Sequence, residues 1–426
     1  MTQQGTALAE ADVPEHPSLW KNRHFLLLWS GQTVGELGAR ITSVVVPLLA
    51  ASDLHASAFQ ISLLTSFAWL PYLFFSLPAG ILADRLDHRK LMVACDLGRM
   101  GLMASVPLVA LGWELKLWYL YVVVSVSGVL TVLFSVAYRA RLPVMVKAHQ
   151  LTDSTAKLET SREFSEFIGP ALGGVLVGLV GATRAFFSNG FAYFVSAVTL
   201  WFNRQAPTVG EDRTEPKERL PLRKEVAEGL AFIRSRPVLR NILACSTTSN
   251  FFVMSVSSIG VTFMVRELRA ESWTVGLVSS ISAVSGLTFG LVANRVAQRI
   301  GTARMIWLAM AVPGPLYLLM PMAPVGWGIV LYGCGLAAFS ANAVLYNVAA
   351  TSYRQRITPP NLLGRVNASF LWICYGVIPL GALTGGALAT RFGLRGALLI
   401  CVLGMWSAAV FVVFSPLRKM RDLPEA

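Results

Sequence analysis

The chain has 426 residues, of which 54% are hydrophobic and only 14% charged, and its formal net charge is +13. A water-soluble protein carries about 25% charged residues. With a mean hydropathy of +0.58, the composition excludes a soluble globular protein and points to one built for hydrocarbon. Crossing a bilayer core about 30 Å thick takes about 20 helical residues, and stretches of that length recur along the whole sequence.

Residues 1–19 are polar, acidic and proline-containing, lack the basic-then-apolar order of a secretory signal, and read as a disordered cytoplasmic tail. Charges and Gly/Pro clusters then bound six predicted spans at 25–51, 58–83, 91–112, 118–138, 161–181 and 184–203. A hydrophilic linker at 204–239 follows. Its second part, "LRKEVAEGLAFIRSR", puts Leu222, Val226, Leu230 and Ile233 on one helical face, which predicts an amphipathic cytoplasmic helix on the membrane or on the bundle. Six more spans are predicted at 240–265, 273–293, 304–323, 326–349, 366–390 and 395–415, before a cytoplasmic tail at 417–426. The domains expected are thus a six-helix bundle over 20–203 and a second over 240–416. The five cysteines (Cys95, Cys245, Cys334, Cys374, Cys401) fall inside apolar spans without pairing or metal spacing, as small hydrophobes do. Neither a cofactor nor a metal is expected.

With the N-terminus in the cytoplasm, only Lys116, Arg184, Arg266, Arg269, Arg391 and Arg395 lie outside, and Arg40 and Arg99 lie within spans. All other basic residues are cytoplasmic, which predicts that both termini are inside. The same bias explains the positive charge with no nucleic-acid partner.

The halves echo each other. "GILADRL" at 80–86 returns as "GLVANRV" at 290–296, with Asn294 for Asp84 and Arg295 for Arg85, and Pro170 returns as Pro379 at nearly the same offset. Duplicated halves suit alternating access around a site near the midplane.

In "GILADRLDHRK", residues Gly80, Leu82, Ala83, Asp84, Arg85, Arg89 and Lys90 resemble the signature between the second and third helices of the major facilitator superfamily. Asp87 stands where that pattern has glycine, and His88 where it has arginine. "GPALGG" at 169–174 resembles the fifth-helix motif of proton-coupled exporters, with Ala156 and Ser165 replacing its upstream glycines. "RHFLLLWSGQTVGELGARIT", "SREFSEFIGPALGG" and "PPNLLGRVNAS" resemble the drug:proton antiporter branch of macrolide efflux proteins and the enterobactin exporter.

The resemblance implies an all-α membrane protein with twelve transmembrane helices in two pseudo-symmetric six-helix bundles, the major facilitator fold. It implies a gate at Asp84, Arg85, Arg89 and Lys90, answered by Asn294 and Arg295, and a bend and close helix contact at Gly169, Pro170, Gly173 and Gly174. It also implies a non-enzymatic exporter in the bacterial cytoplasmic membrane, working as a monomer, that exchanges protons for a small amphipathic organic substrate. Siderophore export, lysophospholipid flipping and solute uptake on the same fold stay open, as do a membrane sensor or enzyme.

Ionisable groups deep in a membrane are costly and mark function. Of 23 Asp and Glu residues only Glu36 and Asp96 fall well inside predicted spans, while Glu163 and Glu166 sit at the predicted cytoplasmic start of the fifth. Glu36 lies about 16 Å into its helix, with Arg40 one turn on; Asp96 and Arg99 form a second spaced pair. Each pair is either a coupling device or a fixed structural ion pair. The second half offers Asn250, Asn342, Tyr346, Asn347 and Tyr375, which with Trp69 are expected to line a mainly apolar cavity.

Overall fold

The computed structural model describes residues 19, 22–145, 150–203, 222–359 and 362–421, and among them every regular element is helical. The predicted N-terminal tail and the first part of the predicted linker lie almost wholly outside the described residues. The first half contains α1 (Arg23–Ser52), α2 (Ala58–Arg85), α3 (His88–Gly112), α4 (Leu117–Met145), α5 (Leu151–Val180) and α6 (Ala182–Phe202). The short α7 (Leu222–Ser235) leads into α8 (Pro237–Arg266), α9 (Ser272–Ile300), α10 (Thr302–Ala311), α11 (Gly314–Tyr317) and α12 (Leu319–Met322). Then come α13 (Gly328–Ile357), α14 (Leu363–Gly376), α15 (Ile378–Ser407) and α16 (Ala409–Val413).

Helix starts are set by local chemistry. The Asn22 side chain accepts from the amides of His24 and Phe25 at 3.0 and 3.2 Å. Ser57 and Gln60 cap α2 reciprocally, and Asp87 accepts from the Lys90 amide at 3.0 Å to start α3. Each cap satisfies amides that the first helical turn leaves unpaired. The residue that departs from the signature at 87 therefore has a structural task of its own.

One break completes the count of twelve crossings, and a second interrupts a crossing without adding one. The apolar stretch Leu363–Val413 is 51 residues long, but Gly393 inside it takes φ +73, a conformation that glycine adopts without strain and that reverses the chain. The helices α10 to α12 make one crossing interrupted at Pro313 and Pro315. Proline has no amide to donate to the carbonyl of Ala311, and the Trp406 indole donates to it instead at 3.0 Å. A freed carbonyl in hydrocarbon must find such a partner.

Two boundaries and one helix face differ from the sequence expectation. Helix α5 begins at Leu151 rather than 161, because the charged stretch before the apolar run is itself helical, tied by Lys157–Asp153 and Arg162–Glu159 ion pairs. On α7, Ile233 is buried but Leu230 is exposed. The helix packs on α14, where Gly229 meets the Arg365 backbone and Glu228 pairs with its guanidinium; the side chains of Leu222 and Val226 lie outside the described residues. The segment placed in a C-terminal tail is packed as far as 421: Leu417 is buried, and the Arg421 carbonyl accepts from the Arg304 amide at 3.4 Å.

The apolar cores reveal how the halves meet. One cluster runs from Ile41 and Ile61 through Phe263 to Cys401, joining both halves at the end where α1 finishes and α2 begins. At the opposite end there are two separate clusters. One, around Phe25, Met92 and Phe134, belongs to the first half; the other, around Ile242, Ile306 and Val366, belongs to the second. The protein is sealed at one end and divided at the other.

Candidate substrate cavity

Between the halves lies a cavity of about 1010 Å³, lined by α1 to α6 on one side and α8, α9 and α13 on the other. Its walls differ in kind. The second half contributes small or aliphatic, uncharged groups such as Ser282, Gly286, Leu287, Gly290 and Ser340. All four charged lining residues, Arg40, Arg162, Glu163 and Glu166, come from the first half.

Because α5 starts early, Glu166 stands half-way along it, level with Arg40 of α1. The Arg40 Nη2 lies 3.5 Å from Glu166 Oε2, so Arg40 reaches across to α5 and not back to Glu36. Glu36 is half-buried and accepts from Gln32 Nε2 at 3.3 Å; the ion pair Arg40 makes is with Glu166 on the neighbouring helix and not with Glu36 on its own. Arg162 holds Glu159 at 2.7 Å and Glu163 at 2.6 Å, and stands 3.6 Å from Glu166. Close charge-assisted bonds fall near 2.7–2.9 Å. Glu166 is therefore the loosely held carboxylate of the group, with two guanidiniums near it and neither in tight contact.

Asp96 and Arg99 form a buried ion pair between α3, α4 and α6. Ser196 Oγ donates to Asp96 Oδ2 at 2.7 Å, and Arg99 Nη1 lies 3.4 Å from Thr131 Oγ1. The Arg99 guanidinium sits over the rings of Phe134 and Tyr193, 4.5 and 4.3 Å from their centroids. This pair stands behind the cavity wall, with Thr131 and Tyr193 between it and the lumen.

The glycines of "GPALGG" set helix distances. A side chain at Gly169 would strike Arg40, and one at Gly173 would meet the Ile41 carbonyl at 2.9 Å. Gly174 faces Ser272 and Gly276 of α9, Pro170 lies against Gly276, and the Ala171 amide donates to Ser280 Oγ at 3.1 Å. This one stretch packs α5 on α1 within its half and on α9 across the divide.

Of the polar residues expected at the cavity, Trp69 lines it, and the Tyr375 ring lies 6.1 Å from the Trp69 ring. The others stand elsewhere. Asn342 is buried and donates to the Tyr317 hydroxyl; Tyr346 is buried and donates to the Ile242 carbonyl at 3.0 Å. Asn347 is exposed and Asn250 half-buried, both away from the cavity wall. In the hinge signature, Gly80 lies on α2, while the side chains of Asp84 and Arg85 lie outside the described residues. Arg89 donates to the Trp201 carbonyl at 2.9 Å, holding the end of α6, and Lys90, Asn294 and Arg295 are exposed. The sequence places Glu163 and Glu166 at the start of the fifth span and does not single out Arg162; the structure puts all three on the cavity wall. The signal that could have found them is the i, i+3, i+4 run Glu159–Arg162–Glu163–Glu166, which continues the helix back from the apolar stretch.

A family model for the Major Facilitator Superfamily matches residues 28–382. The chain belongs to the major facilitator superfamily. It is similar to macrolide efflux protein A of Streptococcus pyogenes, 23% identical over 414 residues that cover 94% of this chain and 98% of that protein. It is similar also to the multidrug efflux pump Tap of Mycolicibacterium fortuitum, 25% identical over 407 residues covering 93% and 97%. In fold it resembles the crystal structure of a bacterial homologue of the human lysosomal transporter Spinster in an inward-facing, unoccupied conformation. That likeness has a TM-score of 0.75 at 16% identity, covering 92% of this chain and 96% of the other. This member of the major facilitator superfamily is thus a twelve-helix, multi-pass membrane transporter and not an enzyme.

Proposed function

We propose that this transporter exports amphipathic, drug-like or natural-product molecules from the bacterial cytoplasm in exchange for protons. The two bundles, 20–203 and 240–416, rock about the central cavity. The observation that carries the reading is the cavity itself. Its volume is at the upper end of the roughly 300–1,000 Å³ typical of organic-ligand sites, its second-half wall is uncharged, built of serine, glycine and aliphatic side chains, and its few charges sit on one face. A hydrophilic solute would call for several charged or amide groups on both walls. The efflux names of the similar proteins point the same way.

With both termini cytoplasmic, the divided end opens inward and the sealed end faces out. The Arg266 guanidinium of α8 donates to the Ala56 carbonyl at 2.6 Å across the sealed end. The hinge residues Asp84, Arg85 and Lys90, with Asn294 and Arg295, stand at the divided end and close it in the alternate state. Each proton entering down 100 mV supplies about 2.3 kcal/mol, and Glu36 and the cavity carboxylates are the groups available to carry it.

The test is uptake of a fluorescent amphiphile into inside-out vesicles energised with a proton gradient. The proposal expects accumulation that collapses with a protonophore and is lost in Glu36→Gln if that carboxylate carries the proton. Accumulation indifferent to the protonophore would refute proton exchange.

A further inference from the structure

The charged face of the cavity is unbalanced, and its loosest member is in reach of the lumen. Around Glu166, the ionic group comprises the guanidiniums of Arg40 and Arg162 and the carboxylates of Glu159, Glu163 and Glu166. With all five ionised the group has one negative charge in excess, and no charge on the second-half wall offsets it. Glu159 and Glu163 are engaged by Arg162 at hydrogen-bond distance. Glu166 is not: its two guanidinium neighbours stand at 3.5 and 3.6 Å, and its side chain, which lines the cavity, is 43% exposed. Arg40 has Glu166 as its ion-pair partner and is itself 31% exposed. An ion pair this open is worth about 0–1 kcal/mol, weak enough for another cation to displace.

The other elements packed around α5 leave this carboxylate as the exchange point. Helix α1 adds Glu36, one turn before Arg40 and hydrogen-bonded to Gln32. Helix α6 adds Tyr193, whose ring is taken up by Arg99. Helix α9 presents serines, glycines and apolar residues to the cavity. Gly169 fixes the geometry: with no side chain there, α5 lies against the backbone of Arg40 and holds Glu166 one turn away.

We infer that Arg40 is an internal stand-in for the transported cation. It neutralises Glu166 between substrates, and a monovalent lipophilic cation, such as a protonated amine on an apolar scaffold, takes its place. A proton competes for the same carboxylate. Exchange at one carboxylate is one proton for one monocation, so transport of such a substrate is electroneutral, driven by the pH difference and indifferent to membrane potential. This inference rests on the export reading above and adds the substrate's charge and the residue that reads it.

Binding to the purified full-length protein tests it, with tetraphenylphosphonium as the cation and triphenylphosphine oxide as its uncharged counterpart. In the native protein tetraphenylphosphonium binding weakens as pH falls and releases no more than one proton. Glu166→Gln weakens it by about tenfold or more, the scale of a half-shielded charge contact, and abolishes the pH dependence. Triphenylphosphine oxide binding is unchanged, which also reports that the variant is folded. Arg40→Gln has the opposite sign and tightens tetraphenylphosphonium binding up to about fivefold, the scale of an open ion pair.

Equal weakening in both variants would mean that the pair merely holds α1 to α5, and overturns the inference. So would a pH dependence that survives Glu166→Gln and disappears in Glu36→Gln. A native protein that binds the oxide but not the cation sinks this inference alone; one that binds neither sinks the export reading with it.

Discussion

The two halves share a fold and differ in chemistry. In the first, the interior holds the Asp96–Arg99 ion pair and the cavity wall holds Arg40, Arg162, Glu163 and Glu166. In the second, the side-chain hydrogen bonds of buried Asn342 with Tyr317 and of buried Tyr346 with Ser246 and Ile242 are neutral, and the described wall is serine, glycine and aliphatic. The echoed hinge also diverges. Asp87 caps α3 in the first half, whereas the matching turn before α10 uses Gly301 at φ +93. Duplication thus supplied two scaffolds, of which one kept or acquired the ionic machinery and the other became the apolar face of the same chamber.

The largest effect is expected where that difference is buried. Asp96→Ala leaves the Arg99 guanidinium without its counter-charge among Phe134, Tyr193 and Thr131. Breaking a buried pair by removing one partner costs about 3–5 kcal/mol, so thermal unfolding in detergent should show a drop that threatens expression. A drop no greater than that of a surface substitution would erase the contrast between charged and neutral interiors.

The neutral counterpart should cost less. Asn342→Ala strands the buried Tyr317 hydroxyl and loses a contact to Met310 Sδ at 3.7 Å, a penalty of about 1–3 kcal/mol. The same melting assay ranks the two; an order of Asn342 above Asp96 would reverse the comparison.

The smallest effect belongs to the hinge. Loss of the cap in Asp87→Ala is expected to cost about 0.5–2 kcal/mol. The Lys90 amide, which donates a hydrogen bond to the carboxylate, holds the Asp87 carboxyl below its ordinary value. A carboxyl lowered by folding contributes stability that is complete above the unfolded value, about 3.9, and is lost as pH falls through the lower folded one. The native protein and Asp87→Ala should therefore differ in melting temperature at neutral pH and converge below about pH 4. A gap that persists in acid would mean that the charge is not what caps α3.

The architecture was largely legible because hydrocarbon demands long apolar runs. The gap left between the last two predicted spans contains Gly393, where the structure turns. The start of α5 was not legible, because charge density marks the end of an apolar run and not the end of a helix; the structure continues ten residues further back through Asp153 and Lys157. The cavity wall was harder still. A polar residue in a span must face away from lipid, but the helix neighbour and the lumen are equally good refuges. Tyr346 took the first, against Ile242, and Trp69 the second. Ser282, Gly286 and Gly290 shape the lumen by being small, which residue type alone does not announce.

The central claim is that one chamber between two unlike halves opens alternately at either end. Distances between spin labels on Thr160 and Leu291, at the divided end, and on Asp53 and Glu267, at the sealed end, measured with and without tetraphenylphosphonium and across pH, test it most directly. The account predicts opposed changes, with the first distance shortening as the second lengthens. Distances that stay fixed, or that lengthen together, would contradict it.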